Sequence, residues 1–218
     1  MDRRSLLAGL TVAPLVGAVC AREALGGENG PPLSPAREAI RARYFPNVVL
    51  TTQQGKKVRF YDDLIKDKIV VINLMYTKCT GICSGITANL ARVQELLGDR
   101  VGRDIFIYSI TIKPEEDTPA LLKKYAETFH AKPAWLFLTG KPEDIELLRR
   151  RLGFVDPNPE VDKDKSRHSG VLRYGNEALA LWATCQGQAR PEWIAESISW
   201  VDWPKRKRQQ ELPYREGF

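Results

Sequence analysis

Apolar positions change their spacing several times along the chain, and each change predicts an element. Ile69 to Met75 is an apolar, β-branched run that ends abruptly at Tyr76-Thr77-Lys78, which predicts a buried central strand. Ile86, Leu90, Val93 and Leu97 then recur at helical spacing until Gly98 stops the pattern. Ile105 to Ile110 predicts the next strand. Thr118-Pro119 opens a helix, with the hydroxyl at the N-cap and proline at the first helical position. Trp135 to Thr139 predicts a further strand, and Lys141-Pro142 starts a helix reaching Leu152. Upstream, Val48 to Leu50 and Lys57 to Phe60 flank Gln54-Gly55 and read as a hairpin. Downstream, Gly170 to Tyr174 and Leu179 to Thr184 predict two more strands. Pro191 opens a last helix with Ile194, Ile198 and Val201 on one face.

Strands alternating with helices imply a parallel sheet core covered on both faces, and the terminal hairpins add antiparallel strands. The expected fold is therefore α/β and thioredoxin-like: a central mixed sheet, helices on both faces and an N-terminal hairpin. Residues 1–25 read as a signal peptide or N-terminal anchor and 26–43 as a linker, its Gly26 to Pro35 stretch a flexible tether. Residues 44–204 form the thioredoxin-like domain and 205–218 a basic tail.

Composition changes this picture in two places. The net charge of +6 comes from Arg3, Arg4 and the run Lys205 to Arg208; without them 27 basic residues face 27 acidic ones. A nucleic-acid partner is thereby excluded, while the leader or basic tail offers contact with an anionic membrane surface. The apolar stretch Leu6 to Ala21 is 16 residues long, enough for a signal-peptide core and short for a spanning helix. Arg3-Arg4 ahead of it resembles a twin-arginine export signal. The protein is expected to be exported, either periplasmic or membrane-anchored facing the periplasm. Cys20 is a weak lipidation candidate, because bulky Val19 precedes it.

The chemistry concentrates at Cys79 and Cys83, at the junction of the buried strand and an amphipathic helix. Four residues is close to one helical turn, so both sulfurs can share a face. Free N–H groups and the dipole at the helix start favour thiolates. A structural disulfide would close too short a loop to constrain the unfolded chain much. A redox pair and a soft-metal pair remain, and they use the same atoms. Two thiolates and an imidazole suit copper(I), whereas zinc would normally require a fourth ligand. Of the two histidines, His130 falls at a helix end, where a surface histidine is ordinary. His168 ends the polar segment from Asp162 and precedes a strand, so its loop can reach the C-terminal sheet edge where ligands bind in open α/β sheets. Cys185, expected just past the last strand, is either buried and inert or a third redox thiol. Trp193, Trp200 and Trp203 are expected to pack the last helix onto the sheet or to cap the core.

Met75-Tyr76-Thr77-Lys78-Cys79-xxx-Cys83 resembles the thiol motif of the Sco/SenC family. The segment Ser109 to Pro119, which ends in Asp-Thr-Pro, resembles another family motif, as do Tyr125-Ala126, Trp135 to Gly140 and His168-Ser169. The resemblance runs from about Val48 to Val201. It implies a thioredoxin-like fold and copper, as copper(I) with copper(II) also open, on Cys79, Cys83 and His168. It also implies a role in building the copper centre of a respiratory oxidase, with an oxidase subunit or its assembly factors as partner. Two positions depart from the family pattern. Ser84 stands where proline is common, and Lys113 where an acidic residue is usual, pointing either to solvent or inward.

Three functions stay open on these residues. The first is an exported copper(I) metallochaperone for a respiratory oxidase. The second is a thiol-disulfide oxidoreductase working through Cys79 and Cys83, for which His168 is dispensable. A peroxidase would need an arginine beside the nucleophile, and the sequence does not show one. Both leading readings need a thiol reductant, because an oxidised pair cannot take copper.

Overall fold

A computed structural model of the protein describes residues 33–164 and 170–202. The expected leader, Cys20, His168, Trp203 and the basic tail lie outside those residues. The first described element is a helix, α1 (Pro35–Tyr44), with Ser34 accepting from the Arg37 N–H as N-cap. Residues 35–43, read as linker, are thus helical. Next come β1 (Val49–Thr52) and β2 (Lys57–Arg59), paired as the expected antiparallel hairpin. Phe60, read as the end of that hairpin, instead begins a π-helical turn over Phe60–Ile65.

The βα core follows: β3 (Ile69–Met75), α2 (Cys83–Leu97), β4 (Ile105–Thr111), α3 (Pro119–Thr128), β5 (Trp135–Gly140) and α4 (Pro142–Arg151). Thr118 caps α3 through its hydroxyl, and Gly98 ends α2 at a positive φ of 55° that L-residues rarely adopt. A short helix α5 (Pro159–Lys163), a second hairpin β6 (Val171–Asn176) and β7 (Leu181–Gln186), and α6 (Pro191–Trp200) complete the order. The second hairpin sits about two residues later than its pattern predicts, so Cys185 lies inside β7.

One seven-stranded sheet runs β2-β1-β5-β4-β3-β6-β7. Strands β3, β4 and β5 are parallel, and the two hairpins flank them in antiparallel pairing. Every residue of β3 is buried, which explains its near-continuous apolar character. Its one polar side chain, Asn73, accepts from Ser109 Oγ at 2.7 Å, and Trp135 Nε1 donates to that hydroxyl at 2.9 Å. Helix α6 packs Ile194, Ile198 and Val201 inward beside α2. Trp193 and Trp200 were expected on that face, but they are 44% and 53% exposed. At 3.6 residues per turn they fall on the flank of the helix rather than on the stripe of Ile194 and Ile198. Among the described residues, no helix is long and apolar enough to cross a membrane.

Helix α1 buries none of its own residues and is held by charge instead. The Arg37 guanidinium donates to both oxygens of Glu177, a residue only 3% exposed, and to Asp67 at 2.6 Å. Tyr61 Oη and the Asp67 N–H complete the Glu177 carboxylate at 2.9 and 2.8 Å. Removing Arg37 leaves a buried carboxylate without its cation, although two neutral donors remain. Arg37→Met is expected to destabilise the domain by about 2–3 kcal/mol, somewhat less than the loss of a fully buried pair. Urea unfolding at unchanged m-value measures this.

Candidate functional site

The site forms where β3 leaves the sheet. The Ile112 N–H donates to the Met75 carbonyl at 2.9 Å, so the β3–β4 pairing persists to the sheet edge. Beyond it the chain is pinned by Asp117, a buried carboxylate in the turn between β4 and α3. Asp117 accepts from the Thr77 N–H at 3.1 Å and from the Thr77 and Thr111 hydroxyls at 2.5 Å each. It ties the ends of two strands to the start of the cysteine turn. The Cys79 N–H then donates to the Tyr76 carbonyl at 3.3 Å, closing the turn, and α2 starts at Cys83.

Helix α2 has no side-chain N-cap from Ile82. The Cys79 sulfur takes that role by accepting from the N–H groups of Cys83 and Gly81. Burial opposes the Cys79 thiolate. The Cys83 thiol, those two N–H groups and the Tyr76 hydroxyl all donate to the sulfur and outweigh burial, so its pKa lies below the ordinary thiol value. Cys83 behaves oppositely. It is 1% exposed, and burial, with its bond to Cys79, pushes its thiol up to about 12. The helix start was expected to activate both thiols; it activates one. The first turn is fixed by Thr87 Oγ1, which donates to the Cys83 carbonyl at 2.8 Å and lies 3.1 Å from Tyr125 Oη.

This asymmetry predicts the order of modification. At neutral pH iodoacetamide should label Cys79 well before Cys83, because Cys79 is half-buried and the better thiolate. Mass mapping of a time course checks it, and equal rates would contradict the geometry. Cys185 should label last. It sits within β7 opposite Leu172, separated from β3 by β6, and burial raises its pKa to about 11. That position suits an inert thiol rather than a third redox partner.

Lys113 does not extend into open solvent. Its Nζ lies 4.5 Å from the centre of the Tyr76 ring and 3.4 Å from Glu116, which also holds exposed Lys78 at 3.6 Å. Lys113 therefore braces the tyrosine that donates to Cys79. His130 is an exposed turn residue past α3, and its carbonyl accepts from Gln94. Gln94 lies 11 residues along α2 from Cys83, about 16 Å at the helical rise. His130 is thus remote from the thiols. The roles of Asp117 and Tyr76 went unread in the sequence. The only signals were a carboxylate just before an N-cap and a tyrosine inside the thiol motif.

Two sulfurs joined by a hydrogen bond can either coordinate a soft cation together or form a disulfide with little rearrangement. Among the described residues, no group of three or more His, Cys, Asp and Glu side chains converges as a metal site.

Known proteins show the same architecture. The copper-bound ScoI structure from Bradyrhizobium japonicum aligns with a TM-score of 0.57 and 24% identity, covering 70% of this chain and 96% of that one. BsSco, described as a Sco-family cytochrome c oxidase assembly protein with a disulfide switch, aligns with a TM-score of 0.59 and 22% identity. That alignment covers 74% of this chain and 94% of BsSco. These likenesses establish the thioredoxin-like fold. In sequence, the SCO1 homolog of Bacillus subtilis is 33% identical over 132 residues, 59% of this chain and 67% of that protein. The match to the SCO2-like protein of Rickettsia felis spans only 41% of that protein's length. A sequence model of the SCO1/SenC family matches residues 38–201 of the 218, and the chain belongs to that family.

Proposed function

We propose that the protein is an exported metallochaperone that carries copper(I) on Cys79, Cys83 and His168 and passes it to the copper-accepting subunit of a respiratory oxidase. The observation that carries this reading is the pair of hydrogen-bonded thiols at the head of α2, with Gly170 packed against Ile82 beside them. Gly170 lies so close to the cysteine loop that a Cβ there would come within 2.9 Å of Ile82 Cδ1. Burial chiefly favours the neutral Tyr76 hydroxyl, with Cys79, Cys83 and, least, the Asp164 carboxylate adding to it. Helix α5, just before Asp164, is clamped by Arg149, which donates to Asp162 at 2.6 and 2.7 Å.

Copper(I) is cargo here. Two thiolates satisfy its preference for soft, low-coordinate ligands, and an imidazole would complete a three-ligand set. The copper-bound Sco structures and the oxidase-assembly role named for BsSco support the same cargo and destination. The twin-arginine-like leader supports export to the periplasm, with the N-terminus cleaved or anchored.

The unequal thiols favour a second reading, thiol-disulfide exchange with a partner protein. The Cys79 thiolate would attack a partner disulfide, forming a mixed disulfide and releasing one partner thiol. Cys83 would then give up its proton and displace the second, leaving Cys79–Cys83 oxidised and the partner reduced, until a thiol reductant restores the pair. The His168→Ala variant separates the two. Under the chaperone reading it weakens copper(I) binding by at least ~10-fold and leaves the rate of exchange with a model disulfide unchanged. Copper binding equal to wild type would remove His168 from the site.

A further inference from the structure

A cavity of about 430 Å³ opens where α1, the end of α4 and the β6–β7 hairpin meet, apart from the cysteine turn. Ile40, Phe45 and Leu152 give it apolar walls, and Tyr44, Arg173 and Trp182 bring polar atoms to it. Two of those polar groups are unpaired. Arg173 Nε and Trp182 Nε1 are buried N–H donors with no acceptor among the described residues, a rare condition in folded proteins.

Both side chains are fixed in place. Arg173 Nη2 donates to the Gly153 carbonyl at 3.0 Å, and the guanidinium lies 5.4 Å from the Phe154 ring centre. The Trp182 indole lies 4.5 Å from the Phe45 ring centre and rests over Gly175, where a Cβ would meet it at 2.4 Å. Arg173 is registered against Thr184 and Trp182 against Gly175, so the two are diagonal neighbours on one face of the hairpin, within reach of each other's long side chains. Burial disfavours the guanidinium charge.

A half-buried guanidinium whose Nε is buried and has no carboxylate partner among the described residues calls for an anion, and two unpaired N–H donors on diagonal neighbours can serve the two oxygens of one carboxylate. Small hydrophilic anions would leave the apolar walls uncovered. The volume lies in the range of small-molecule sites, roughly 300–1,000 Å³. We propose that this cavity binds an apolar carboxylate of the medium-chain fatty acid kind, its head on Arg173 Nε and Trp182 Nε1 and its chain against Ile40, Phe45 and Leu152. The site is separate from the thiol pair, and copper need not be present for it to fill.

Calorimetric titration of the reduced full chain with decanoate and decanol, both below micellar concentrations, tests the assignment. Decanoate should bind at least ~10-fold more tightly than decanol, because only the carboxylate accepts both donors. Arg173→Met should abolish the preference for decanoate, and Trp182→Phe, which keeps the ring but loses the N–H, should reduce it. Both variants should still unfold cooperatively in urea, which shows that they are folded. Wild type that fails to bind decanoate, or binds decanol equally well, overturns the assignment. So does an Arg173→Met variant that folds and keeps the preference.

Discussion

Cys79→Ser and Cys83→Ser are each expected to cut copper(I) affinity by well over ~100-fold, beyond the upper end of what losing a second-shell partner costs. A serine oxygen is a hard ligand, and one thiolate with an imidazole makes a poorer site for a soft ion. The two variants should nevertheless differ in thiol exchange. Cys79→Ser removes the accessible thiolate, so no attack on a disulfide occurs. Cys83→Ser keeps the attacking thiolate but lacks the resolving thiol, so the mixed disulfide should accumulate. Chelator competition measures the first effect and non-reducing mass spectrometry the second. Copper affinity that survives either change would contradict a dithiolate site.

Asp117→Ala is expected to be the most damaging single change to the domain outside its apolar core. It strips an acceptor from the Thr77 N–H and from the Thr77 and Thr111 hydroxyls, all around a carboxylate that is 1% exposed. Leaving two or three donors unsatisfied costs about 3–5 kcal/mol. For a domain of this size the melting temperature should fall by roughly 10–15 °C. Asp117→Asn should fall in between, since its amide keeps one acceptor but turns an NH₂ toward a donor. The loss should extend to chemistry, because Thr77 starts the turn that carries Cys79. Iodoacetamide should therefore lose its preference for Cys79 over Cys83 as the turn loosens. A loss below about 1 kcal/mol would mean that the carboxylate's partners find water instead.

Much of the fold is legible where local pattern and tertiary demand agree. Ile69 to Met75 reads as a buried strand because both of its faces are covered. The start of α3 reads from Thr118-Pro119 because capping is a local event. Helix α1 is not legible: it buries no residue of its own, and what secures it is Arg37 meeting Glu177, 140 positions away. Trp193 and Trp200 misled for a related reason. Aromatic size suggests core, but the helical stripe was already filled by Ile194, Ile198 and Val201.

At the site the same division holds. The spacing of Cys79 and Cys83 and their place before an amphipathic helix are visible in the residue order. Their inequality is not. It arises from a tyrosine hydroxyl, two backbone N–H groups and the depth of Cys83, none of which spacing encodes. Lys113, which could have faced either way, is decided by the Tyr76 ring beneath it and by Glu116.

The central claim is that the reduced pair takes copper(I), and stoichiometric titration tests it most directly. The fully reduced full-length protein, titrated anaerobically with copper(I) against a chromophoric chelator, should bind one copper per chain, and binding should protect Cys79 and Cys83 from alkylation together. Failure of the reduced protein to compete for copper, or binding that leaves both thiols reactive, would contradict the account and leave thiol exchange as the function of the pair.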